Sequence, residues 1–145
     1  MRKTILLLCM VILIACAPQN LPPESQQSNQ VCINDHCFTV EIVDTPGERS
    51  RGLMNREHLD NDQGMWFIHE VESSHPFWMK NTLIPLDIIW INKDLEIVYI
   101  AHNAQPCGET CPSINPGVAA LYTLEINGGL ASSFDFAKGD TVIIK

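Results

Sequence analysis

The chain has 145 residues, 17 acidic against nine basic, for a net charge of −8, and 46% of it is hydrophobic. That length holds one domain of ordinary size. The acidic balance argues against a nucleic-acid partner and against docking on anionic lipid by charge alone, although solubility accounts for it equally well.

Residues 1–16 read as an export segment. Arg2 and Lys3 form a positive start, and Ile5 to Ile14 is an apolar run too short for an ordinary spanning helix. The segment ends Leu13-Ile14-Ala15-Cys16, which resembles a bacterial lipobox. That resemblance implies cleavage before Cys16 and a diacylglycerol on its thiol; a plain secretory signal or an uncleaved anchor is the alternative. A lipidated Cys16 would hold an exported lipoprotein on its membrane. Ala17 is not an Asp-type retention residue, which favours the periplasmic side of the outer membrane where the host has two. Without residues 1–15, seven basic residues face 17 acidic ones, a net charge of −10. Residues 17–30 carry three prolines and several Gln and Asn, the composition of a flexible tether.

A globular domain is expected over residues 31–145. Cys32 to Cys37 fits a hairpin turning at Asn34-Asp35, with Cys32 opposite Cys37, and the strand continues through Phe38 and Val40. Thr45-Pro46-Gly47-Glu48 is a capping box with proline at the first helical position, predicting a short helix to about Asn55. Arg49, Arg51 and Arg56 are either a solvated helix face or a cluster that orders a carboxylate or an anionic ligand. Further strands are expected over 64–69, 76–79, 86–91, 95–101, 118–126 and 141–144, with a helical turn around Leu130 to Phe136. The fold class is α+β and mostly β: a small, closed or half-closed antiparallel barrel-like sheet with two short helices.

FWMKNTLIPLDIIWI at 77–91 is the most distinctive stretch. Together with RGLMNRE at 51–57, GMWF at 64–67, Cys-Pro at 111–112, LEINGG at 124–129 and KGD at 138–140, it resembles the bacterial and archaeal family called domain of unknown function 192. The resemblance spans about residues 37–145 and implies a small, mostly β domain with no established activity, so chemistry has to be read from side chains. Lys80, Asn81 and Thr82 follow Trp78 and Met79 and precede the apolar run that contains Asp87. They are scaffold around the bend before Pro85, or else a ligand groove formed by Arg51, Trp78, Lys80, Asn81, Thr82 and Asp87. A small hydrolase or transferase working through Lys80 and Asp87 on envelope material is a second reading. A third is copper handling by Met54, Met65 and Met79 with His58, His69 and His75, against the plainer role of methionine as core filler.

Once Cys9 is removed and Cys16 lipidated, four cysteines remain. In an exported domain they favour two disulfides, Cys32–Cys37 from the hairpin register and Cys107–Cys111 from proximity; a four-cysteine zinc site is the rival. No motif implies a cofactor. The expected partners are the membrane, through Cys16, and a small-molecule or envelope ligand, with the chain a monomer.

Overall fold

The computed structural model describes residues 29–108 and 110–145. Cys16, the apolar leader and the tether before residue 29 lie outside them. In chain order the elements are β1 (Gln30–Ile33), β2 (His36–Val43), α1 (Pro46–Arg51), β3 (Gln63–Ser73), β4 (Leu86–Ile91), β5 (Ile97–Ala104), β6 (Ala120–Asn127), α2 (Leu130–Ser133) and β7 (Val142–Ile144). All seven strands join one sheet in the order β5-β4-β6-β3-β2-β1-β7. The sheet curls until its two ends meet. Ile97 N–H donates to Asp140 O at 2.9 Å, Gly139 N–H to Ile97 O at 2.8 Å, and Val142 N–H to Leu95 O at 2.8 Å. The half-closed β architecture with two short helices is therefore the one expected from the sequence.

One pairing departs from the antiparallel expectation. β2 and β3 run parallel, because α1 and the segment after it carry the chain back to the starting end of the sheet. The β1–β2 hairpin has the expected register, Ile33 opposite His36 and Cys32 opposite Cys37, with Asn34 at φ 52° in the turn. Both expected disulfides, Cys32–Cys37 and Cys107–Cys111, are formed, which removes the thiols that a zinc site would need.

Thr45 caps α1 as predicted, its hydroxyl accepting from Glu48 N–H while the Glu48 carboxylate reaches back to Thr45 N–H. The helix stops at Arg51, short of Asn55, because Gly52 turns to φ 46° and donates its N–H to Glu48 O. The strand expected over 76–79 is reduced to a single bridge. Phe77 and Ile114 exchange both backbone bonds, at 3.0 and 2.7 Å, and the chain then turns away. Pro76 has no N–H to extend that pairing.

Two apolar clusters sandwich the middle of the sheet. Inside the curl, Phe38, Trp66, Ile89, Ile91, Leu124 and Ile126 pack together, with Ala131 of α2 as a plug. On the outer face, Met65, Phe67, Leu86, Ile88 and Trp90 are roofed by Leu53, Leu59 and Met79. This roof is why every residue of β4 is buried, as its unbroken apolar run requires. Gly64 permits the tight contact of β3 with β6; a Cβ there would lie 2.8 Å from Glu125 O.

Candidate functional site

β6 sends Leu124 and Ile126 into the curl, so Thr123, Glu125 and Asn127 face outward, under the roof. Thr123 meets His69 Nε2 at 3.1 Å, and Asn127 donates to Leu59 O at 2.6 Å. Glu125 lies between them, opposite Met65 on β3 and Ile88 on β4. It is 4% exposed, and its Oε2 has no hydrogen-bond partner. Burial among these apolar neighbours pushes its carboxyl up to about 8. A buried polar oxygen left without a protein partner is uncommon.

Above Glu125 is a small cavity of about 20 Å³, between the end of α1 and residues 77–82. That is room for about one water molecule. Gly52 forms part of its wall: a Cβ there would come within 3.4 Å of the Phe67 ring and 3.8 Å of Glu125 Oε2. The glycine that ends α1 therefore also leaves the space beside the acid open. Arg51, Trp78, Lys80 and Thr82 line the approach.

The three arginines of the α1 region divide cleanly. Arg56 is committed to Glu41 through two bonds of 2.6 and 2.9 Å. Arg49 braces Asp44 O, Ile68 O and Glu70. Arg51 is exposed and, among the described residues, forms no ion pair, and the same holds for Lys80. The Lys80 ammonium sits 5.4 Å from the centre of the Trp78 ring, a cation–π contact. Trp78 is 47% exposed, while Trp66 and Trp90 are core residues.

The loop that presents Lys80 is firmly held. Thr82 N–H donates to Met79 O at 3.2 Å and Asn55 N–H to Asn81 O at 2.7 Å, with Asn81 at φ 57°. The Asn81 amide lies 4.0 Å from the Met54 sulfur, so Asn81 ties the two rims together and does not line the cavity. Thr82 is buried and lines it.

Asp87 does not belong to the groove that the sequence reading gave it. It is fully buried on the opposite face of β4, where Oδ1 accepts from Asn103 N–H at 2.6 Å and Oδ2 from Ala131 N–H at 2.7 Å. The β4–β5 register skips at this point, so the carboxylate satisfies a strand N–H that the ladder leaves free and the start of α2. Lys80 and Asp87 are thus on opposite sides of the sheet and form no catalytic pair.

A second, broader hollow of about 290 Å³ adjoins the first and shares Arg49, Ser50, Phe77 and Trp78 with it. His69 and His75 line it, stacked with ring centres 3.7 Å apart. Burial, then His75 and Arg49, lowers the His69 pKa to about 4, so the ring is neutral at ordinary pH. Met65 and Met79 are core residues, Met54 faces Asn81, and His58 pairs with Asp60 elsewhere.

The sequence reading missed Glu125. In LEINGG it looks like the solvent-facing member of an alternating strand, and its burial depends on a roof contributed by residues far away in the chain.

No curated protein matches this chain. A crystal structure of a protein of unknown function from Novosphingobium aromaticivorans DSM 12444 is similar at 38% identity and TM-score 0.71, over 79% of this chain and 82% of that one. A putative transcription regulator from Sinorhizobium meliloti 1021 is similar at 32% identity and TM-score 0.72, over 80% and 91%. Residues 29–144 match the family described as Uncharacterized ACR, and the chain therefore belongs to domain of unknown function 192.

Proposed function

We propose that this protein is a lipid-anchored, extracytoplasmic binding module that takes a small envelope-associated ligand at the cavity over Glu125. The observation that carries the reading is the combination of a buried, partnerless carboxyl oxygen with two side-chain cations, Arg51 and Lys80, that the fold leaves uncommitted among the described residues. Both of them line that cavity, with Glu125 as the one carboxyl in its wall. Trp78 adds an exposed aromatic wall of the kind that small-molecule sites use for contact area. The acidic balance of the chain speaks against a nucleic-acid partner.

A thermal-shift survey of sugars, amino acids, small carboxylates and amines, run on the full-length chain in neutral detergent, tests the site. At least one class should raise Tm. The double variant Trp78→Ala, Lys80→Met should lose that shift while keeping its own Tm within a degree or two, since both side chains are exposed. No shift with any class, or a shift that survives in the double variant, would overturn the reading.

The anchor is tested separately. Leu13-Ile14-Ala15-Cys16 behind a short apolar run supports lipidation of Cys16. Cys16→Ala should release the domain from membranes or stall its processing, and the wild type should incorporate labelled palmitate. A wild-type protein without acyl label would rule the anchor out.

A further inference from the structure

We propose that the group recognised over Glu125 is a carboxylate, one oxygen of which accepts a hydrogen bond from Glu125 in its protonated form while the other stays at the Arg51–Lys80 mouth. The inference rests on the binding reading above and assigns its ligand class.

Size comes first. A cavity of about 20 Å³ accepts one oxygen-sized group and no more. A planar carboxylate can insert one oxygen and leave the other outside. A phosphate could also present one oxygen, but three further oxygens would then have to be held at the mouth.

Charge comes second. Glu125 is the one carboxyl among the residues lining the cavity, and the charged groups around it are Arg49 and Arg51 from the α1 side and Lys80 from the loop. β3 presents Met65 and Phe67 next to it, with His69 further along against Thr123, and β4 presents Ile88. Its own strand offers Thr123 and Asn127, both already bonded. A cationic ligand would have to pass two positive side chains to reach a single acid. A neutral sugar hydroxyl would make no use of those cations. An anion uses both features, provided that the acid at the floor carries its proton.

Protonation is the third element. An ionised carboxylate can only accept hydrogen bonds and would repel an incoming anion, whereas the protonated acid has one O–H to donate. Its burial favours that form, with the carboxyl pushed up to about 8. An O–H···O⁻ bond between an acid and a carboxylate is short and charge-assisted. The uncommitted Oε2, which faces no protein partner, is then the atom that meets the ligand.

The test is a two-dimensional NMR titration of the full-length chain in neutral detergent with acetate, acetamide and inorganic phosphate, at pH 6 and pH 9. Acetate should bind the wild type about tenfold more weakly at pH 9, as the proton leaves Glu125. Glu125→Gln keeps a donor that does not titrate, so its acetate affinity should be the same at both pH values. Glu125→Leu should lose acetate binding at both, with its fold verified by an unchanged spectrum away from the cavity.

Equal acetate affinity at the two pH values in the wild type would overturn the proposal. So would a pH-dependent fall that persists in Glu125→Gln, or binding of acetamide or phosphate as tight as that of acetate. If acetate fails to bind while an uncharged compound does so in a Trp78-dependent way, the carboxylate assignment falls and the binding module stands. If nothing binds, both fall.

Discussion

Asp87→Asn is expected to lower the stability of the domain by about 2–4 kcal/mol, which is roughly 10–20 °C in Tm for a domain of this size. The carboxylate has two oxygens, and each is committed to a backbone N–H: that of Asn103 at the end of β5 and that of Ala131 in the first turn of α2. Such bonds to an ionised acceptor are about twice as strong as neutral ones. Asparagine has one acceptor oxygen, and its amide N–H₂ would point at a donor. One buried N–H therefore loses its partner, and the ladder skip between β4 and β5 has nothing else to fill it. Removing a buried charge gives back some desolvation free energy, which keeps the loss below what the two bonds would sum to. Asp87→Ala should be worse, since both N–H groups are then orphaned. Thermal unfolding monitored by circular dichroism measures the effect, and a shift under one degree in Tm would show that Asp87 is not the fastening described here. Lys80→Met makes the matched control: Lys80 is exposed and contacts Trp78 without an ion pair among the described residues, so its loss should cost little.

The architecture was legible from the sequence where the cause is local. Asn34-Asp35 between two cysteines sets a hairpin register by itself, and Thr45-Pro46-Gly47-Glu48 starts a helix by itself. The run at 86–91 announces burial on both faces without saying what covers them. Lys80 and Trp78 were visible as a polar and aromatic group beside that run, and they do line the approach to the cavity. The rest depends on long-range pairing. Arg49, Arg51 and Arg56 are equivalent in sequence and differ only in whether Glu41 or Glu70, many residues away, comes to meet them. Asp87 and Glu125 are each acids between apolar residues on a strand. The face inside the curl gives the first two backbone donors, and the face under the roof gives the second none for Oε2. No local pattern separates them, because the difference lies in strand order and in the parallel β2–β3 crossover that brings the roof over β6.

Glu125→Leu is expected to stabilise the domain, and to change how its stability depends on pH. In the wild type the folded state holds the Glu125 proton up to about pH 8, while the unfolded chain releases it near 4.5. Between those values the folded state binds more protons, so this group lowers stability by about 1.4 kcal/mol for each unit that pH rises, and above about 8 the loss levels off. His69 acts in the opposite sense. Its folded pKa is about 4 against 6.5 unfolded, so stability rises with pH across that interval and is constant above it. The two slopes oppose each other from about pH 4.5 to 6.5 and leave a plateau; from 6.5 to 8 only Glu125 contributes, and the wild type should weaken. Leucine removes the partnerless carboxyl and fills similar space among Met65, Phe67 and Ile88. The variant should therefore gain stability up to pH 6.5, hold it to pH 8, and exceed the wild type there by a few kcal/mol, roughly the cost of keeping an ionisable group in an apolar site. Urea midpoints taken at half-unit steps from pH 5 to 9 trace both curves. Parallel curves for wild type and variant would mean that the Glu125 carboxyl does not hold its proton in the folded protein. A wild-type decline confined to pH 6.5–8 and absent in Glu125→Leu would identify this buried acid as a destabilising group whose presence the packing of the domain does not require.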